Sequence, residues 1–405
     1  MEHYDVIIVG GGMVGSSLAC ALAGQDLRIA IVETVQSDTR SAAGYDDRAL
    51  ALAYGTKRIF TGLQLWDELE QAATPIYQIH VSDRGHFGMV RMDREDEGLP
   101  ALGYVVPARV LGEVLDEAVR AAAGVDLMCP ATVTNLEVTA AAVQLEVATG
   151  DGARSLSTGL IVAADGAGSA IRAHFGIDVS EHDYHQTAIV TNITPQLAHR
   201  NIAYERFTDT GPLALLPMSE QRCAVVWTVT GAQAAAVMDL DDTAFLERLQ
   251  ERFGNRLGRL ERVGRRQAWP LRLVRARESV RPRLALVGNA AHTLHPIAGQ
   301  GFNLGARDIA VLAEVVMDAV RAGRDPGALE VLERYGTWRR GDHQRVTVFT
   351  DGLARLFTLP LPALGLARNT AMLALDFMPP AKRLLSRLTM GRAGRTPRLA
   401  RGLPL

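Results

Sequence analysis

The chain predicts an α/β fold in two interleaved parts, one on a parallel sheet and one on a mostly antiparallel sheet, followed by C-terminal helices. Three observations predict it. The first 33 residues alternate apolar strands with a glycine-rich turn and an Ala/Leu-rich helix. Residues 188–229 break into short β-rich runs. A second strand, glycine-rich loop and helix start falls at Leu284 to Asp308.

Tyr4 to Val9 is an uncharged apolar run after Asp5, the pattern of a buried parallel strand. Gly10, Gly12 and Gly15 follow with G-x-G-x-x-G spacing, then a helix to Ala23, then a strand from Leu27 to Val32 ending at Glu33. A turn of this kind brings backbone N–H groups to a pyrophosphate at a helix N-terminus, and an acid after the second strand can bond a ribose hydroxyl. Strand, turn, helix and acid in this order make a Rossmann-like start. The fingerprint alone leaves FAD and NAD open.

Ile76 to Arg91 reads as a hairpin turning at Asp83-Arg84-Gly85, followed by a solvated acidic loop, 93–97. Residues 131–148 and 159–164 are strand-rich. Asp165-Gly166 then stands at a strand's carboxyl end, where α/β sheets bind ligands; a plain Asp-Gly turn is the alternative. The runs within 188–229, a helix from Asp242 to Phe253 and a strand from Gln267 to Val274 form the antiparallel part. Phe207, Leu213 to Pro217 and Trp227 are candidates for an apolar pocket wall.

Leu284 to Val287 is a buried strand, and Gly288, Gly299, Gly301 and Gly305 punctuate the loop before a helix whose apolar face includes Ile309, Leu312 and Val316. Glycines let backbone approach a ligand, and the helix start offers unpaired N–H groups and partial positive charge.

These residues resemble the FAD-dependent aromatic hydroxylases of the para-hydroxybenzoate hydroxylase type. Their pattern G-D-A-A-H-x-x-x-P-x-x-G-Q-G-x-N-x-G-x-x-D is matched by Gly288, Ala290, Ala291, His292, Pro296, Gly299, Gln300, Gly301, Asn303, Gly305 and Asp308, with Asn289 in place of the usual Asp. The resemblance implies that the first part meets the flavin ribityl chain and the Pro296-to-Asn303 part lies against its ring. It also implies FAD contacts for Arg48, in DDRALAL, and Arg109, in VVPARVL, and ties D-G-x-x-S-x-x-R (Asp165 and Gly166 to Arg172) to FAD and the nicotinamide donor. For Arg48 the plain reading is an arginine satisfying surface acids.

DDRALALAYGT, HVSDRGHFG and AYERFTDTGPLALLPMS resemble the ubiquinone-biosynthesis branch, nearest the enzymes that act on 2-polyprenyl-6-methoxyphenol. That resemblance implies a monooxygenase that uses FAD, NADPH or NADH, and O2 to hydroxylate a hydrophobic polyprenylated phenol. A phenol reacts better as phenolate, so a base nearby is useful. His295 is the catalytic candidate, with a structural role as its alternative. Non-hydroxylating dehydrogenase, another phenol or ring position, and a flavin-containing scaffold are the competing functions.

The expected FAD-binding domain is residues 1–75, 101–182 and 275–345. The substrate domain is 76–100 and 183–274, and 346–405 is a helical segment with a basic tail. That tail, with Arg387, Arg392, Arg395, Arg398 and Arg401, reads either as frayed or as a contact with an anionic membrane or another ubiquinone-biosynthesis protein. A net charge of −2 gives no bias toward nucleic acid. Three distant cysteines, Cys20, Cys129 and Cys223, fit a reducing compartment and point to neither disulfide nor metal. The acidic N-terminus is unlike a signal peptide, so the expected location is cytoplasmic, or peripheral at the membrane's inner face.

Overall fold

A computed structural model of the chain describes residues 1–36, 48–295, 297–358 and 362–405. The parallel sheet runs in the order Leu284–Leu286, Gly152–Ala163, Glu2–Val9, Ile29–Val32, Val125–Met128. Their central stretches, 6–9, 29–32 and 160–163, are uncharged because both faces are covered. On one face, helix Met13–Leu22, the motif helix Gln300–Arg321 and helix Leu329–Thr358 bury Ile8, Leu18, Ile31, Leu160, Ile309, Leu312 and Tyr335. On the other, the antiparallel strands Ala131–Val138 and Val143–Thr149 cover Tyr4, Ile7 and Ile161. Each such Ile or Leu adds about 1.5–3 kcal/mol on burial.

Among the described residues the second sheet has nine strands. Its middle runs Gln267–Ala276, Val179–Pro195, Cys223–Thr230, Gly211–Pro217, Ile202–Thr208, antiparallel throughout. The hairpin Gln78–Asp83 and Met89–Asp93 joins through a parallel pairing with Ile202–Thr208. At the other edge, His292–Thr293 pairs with Val274 and Arg275, so the glycine-rich motif leaves the parallel sheet and enters the second one within four residues of Gly288. Alternation sorts the sheet's faces. Leu213, Leu215 and Trp227 pack under helix Asp242–Phe253, whereas Ala214, Leu216 and Val226 face a cavity. Trp227, Leu213 and Leu215 are therefore core, not pocket wall; Phe207 does line the cavity.

Three expectations change. The motif helix starts at Gln300, not near Ala306, because Gly299 takes the left-handed conformation (φ +60) that lets the turn feed straight into it. The acidic stretch 94–97 is a helical turn capped by Asp93, which accepts from the Glu95 N–H at 3.0 Å. The basic tail is not frayed. Leu399 and Ala400 enter the main core, the Arg398 N–H donates to Glu314 at 2.6 Å, and Arg395 stacks on Trp338 at 3.6 Å.

Candidate functional site

A cavity of about 2060 Å³ runs between the two sheets. That is about twice the upper end of the usual range for a drug-sized ligand, room for a cofactor and a substrate together. One end is lined by Gly11, Gly12, Glu33, Arg48, Arg109 and Gly166 from the parallel-sheet domain. Gly288, Asn289, Gly299, Gln300, Gly301 and Asn303 line it from the motif turn. The other end is apolar, with Val81, Phe207, Leu216, Leu353, Phe357 and Met372 among its walls.

The structure divides the predicted glycines by role. A Cβ on Gly12 or Gly301 would meet none of the described residues within 4 Å, so both leave open space toward the cavity. A Cβ on Gly15 would lie 1.9 Å from the Gly10 carbonyl oxygen, and one on Gly10 (φ +102) 2.5 Å from that of Ala164. Gly10 and Gly15 do not line the cavity; they let the helix close onto the strands. Gly288 (φ +57) is tight in the same way, its added Cβ 3.1 Å from the Val14 side chain.

Polar side chains divide likewise. Glu33 accepts from the Gly11 N–H at 2.6 Å and the Val35 N–H at 2.7 Å, so it holds the first turn as well as bordering the cavity. Asn303 makes four bonds: its Oδ1 accepts from Ala53 N–H (2.8 Å) and Thr56 hydroxyl (2.7 Å), and its Nδ2 donates to the carbonyls of Ala51 (2.8 Å) and Gly299 (2.7 Å). It therefore clamps strand Ala49–Ala53 to the motif turn. Arg109 pairs with Glu113 at 2.7 Å. Gln300 donates to the Thr389 carbonyl at 3.0 Å, tying the C-terminal helices to the motif. Asn289 is exposed on the cavity wall. Pro296, Asp46 and Asp47 lie outside the described residues.

Asp165 does not line the cavity. Its Oδ2 accepts from the Ile171 N–H at 3.2 Å, and its buried Oδ1 has no partner. Arg172, at the end of that motif, donates to the carbonyls of Ala290 and Ala167, both at 2.8 Å, and so fastens the Asp-Gly turn to the glycine-rich one.

His295, the catalytic candidate, is corrected. It is fully buried, does not line the cavity, packs edge-on against Tyr184 at 5.0 Å and contacts Gln186 at 3.3 Å. Burial pushes its pKa down to about 4, so it is neutral at pH 7. His292 bonds Asp308 at 2.7 Å. Asp308 also accepts from Gly288 N–H (3.1 Å), Arg339 (2.6 Å) and His343 (2.7 Å). Burial alone would raise its pKa, but His343, Arg339 and His292 hold it well below the usual carboxylate range. His292, Asp308 and His343 have ligand-like spacing, yet the guanidinium of Arg339 on the same carboxylate opposes a cation.

Sequence reasoning missed Glu205, and it predicted the C-terminal helices but not that they wall the cavity. Glu205 lines the cavity between Ala203 and Phe207 on one face of their strand, which period-two alternation with Phe207 would have flagged. Helix Pro362–Asp376 and helix Pro379–Thr389 add Ala371, Met372, Leu375 and Leu385 to the apolar end.

The FAD-binding-domain family profile matches residues 3–350.

The chain belongs to the FAD-binding family.

The residues present suit the cofactor: two open glycines at two helix starts, with the flanking carboxylate and arginines, meet along one cavity wall. Among relatives, the ubiquinone hydroxylase UbiL of Rhodospirillum rubrum is 38% identical, over 99% of this chain and 93% of that protein. The 3-demethoxyubiquinol 3-hydroxylase of Escherichia coli is 30% identical over 96% and 99%. The p-nitrophenol 4-monooxygenase PnpA of Pseudomonas putida shares the fold, with a TM-score of 0.80 at 20% identity, covering 98% of this chain and 100% of that one. The chain is an FAD-dependent monooxygenase of the class that uses NAD(P)H and O2. No described helix is long and apolar enough to cross a membrane.

Proposed function

We propose that this FAD-dependent hydroxylase acts in ubiquinone biosynthesis on the ring of a polyprenylated phenol, with 2-polyprenyl-6-methoxyphenol as the specific substrate. The observation that carries this reading is the continuity of the cavity, from glycine-lined turns at one end to an apolar chamber at the other. Such a chamber suits an aromatic ring with a long hydrocarbon tail, and the similarity to ubiquinone hydroxylases supports the same class.

FAD supplies the oxygen-transfer chemistry when bound. The chain's part is to hold, orient and dry. Gly11 and Gly12, at the start of helix Met13–Leu22, would receive the pyrophosphate, with Glu33 at the ribose. Arg48, Arg109, Gly166 and Asn289 border the same space. The start of the motif helix, at Gly299 to Gly301, aims N–H groups and a positive dipole end where negative charge would develop. Phe207, Leu216, Phe357 and Met372 exclude water from the reacting ring.

The C-terminal helices support a peripheral membrane contact. Leu366 and Leu384, on these helices, and Phe377 and Met378, between them, are 64%, 68%, 77% and 54% exposed, and the same helices wall the chamber. A greasy substrate could then pass from bilayer to chamber.

Turnover of prenylated and unprenylated phenols under 18O2 tests the assignment. The expected result is one labelled oxygen in the prenylated product. Unlabelled product would make the enzyme a dehydrogenase, and turnover of a different ring position would reassign the substrate.

A further inference from the structure

Helix Leu329–Thr358, the motif helix and the C-terminal segment enclose a second cavity, of about 630 Å³. It shares no lining residue with the flavin cavity. Its volume lies within the range of small-molecule sites and is roughly twenty times that of one water.

Arg307 lines it, with its side chain only 6% exposed. Its Nε donates to Asp342 at 2.8 Å, but both terminal nitrogens are buried without a hydrogen-bond partner. Asp342 cannot serve them fully, because it also accepts from Arg339 at 2.5 Å. A buried guanidinium with unmet donors is costly to leave bare. Burial accordingly lowers the Arg307 pKa.

Four more arginines line the cavity: Arg339, held by Asp308 and Asp342, Arg334, 3.7 Å from Asp318, and Arg345 and Arg395 at its mouth. Gly391 and Gly394, both at positive φ, give these groups clearance: a Cβ there would lie 2.7 Å from Arg307 Nη1 and 2.9 Å from Arg345 Nη2. Glu330 and Glu333 also line the cavity and are exposed. They would repel an extended anionic surface while leaving the deep guanidinium to a compact anion.

We propose that this cavity binds the phosphate group of a small soluble ligand, held at depth by the free N–H fork of Arg307 and at the mouth by Arg345 and Arg395. Planar guanidinium donors match two phosphate oxygens at once, which an ammonium does not.

The test is calorimetric titration of inorganic phosphate into the FAD-loaded protein. The expected result is one saturable site, weakened about tenfold by Arg345→Gln or Arg395→Gln and more by Arg307→Lys, which keeps the charge but not the fork. Flavin absorbance and circular dichroism show that each variant is folded and loaded; if Arg307→Lys is not, the two mouth variants decide. No binding at millimolar phosphate would overturn the proposal, as would equal affinity in all variants. Arginine-dependent binding of phosphatidylglycerol vesicles without any response to inorganic phosphate would overturn it too, since the site would then read a membrane.

Discussion

The two glycine-rich turns look alike in sequence and are built differently. The first, Gly10 to Gly15, is held by packing: Gly15 sits where any Cβ would strike the Gly10 carbonyl, and the nearest charged partner is Glu33. The second, Gly288 to Gly305, is held by buried charge. Asp308 gathers Gly288, His292, Arg339 and His343 behind it. Val14 lies between the two, within 3.2 Å of a Cβ added at Gly288 or Gly305. Each turn keeps one glycine, Gly12 or Gly301, open to the cavity. In both turns, then, several glycines border the cavity, but only one leaves free space where a side chain would stand.

The sharpest way to break the comparison is Gly15→Ala. With backbone oxygen 1.9 Å from the new Cβ, the expected outcome is loss of the folded domain, read by soluble yield and circular dichroism. A well-folded variant would show that the first turn is not closed by contact. Next come Gly12→Val and Gly301→Val, whose side chains enter open space. Both are expected to fold with a melting temperature near wild type but to purify colourless, as flavin absorbance would show. Full flavin content in both would move the cofactor elsewhere.

The electrostatic half of the contrast predicts acid sensitivity for the second turn. His295 and His343 have folded pKa values lowered to about 4, mainly by burial. The unfolded chain, near 6.5, therefore binds more protons, so stability is full above about pH 6.5 and falls as pH drops toward 4. Each histidine contributes on the order of 3 kcal/mol across that window. Denaturant titrations at several pH values check this, and His295→Gln should flatten the slope; an unchanged slope would remove His295 from the account. The smallest effect is Asn289→Asp. The residue is exposed on the cavity wall and Asp can accept the same hydroxyl, so flavin content should stay within about twofold. Loss of FAD would mean that the amide N–H is the group in use.

Much of this was legible in the sequence. Strand, glycine turn, helix and Glu33 announced the first turn because each residue type has one physical use at that spacing. The motif residues of the second turn were legible as a set, but not their division of labour. Asn303 lines the cavity and yet spends its side chain on Ala51, Ala53, Thr56 and Gly299, partners up to 252 residues away. His295 could not be ruled out as a base until its burial was known. The C-terminal stretch read as tail because its arginines gave no periodicity. Their partners, Trp338, Glu314 and Asp318, lie on other helices.

The two-residue strand His292–Thr293 has a mechanical consequence. Its pairing with Val274 and Arg275 stitches the cofactor loop to the edge of the substrate sheet, and the Ala276 N–H adds a further bond to the Ala291 carbonyl at 2.9 Å. The two lobes therefore cannot swing apart like jaws without tearing that seam. The cofactor loop and the chamber floor are thereby kept in fixed register.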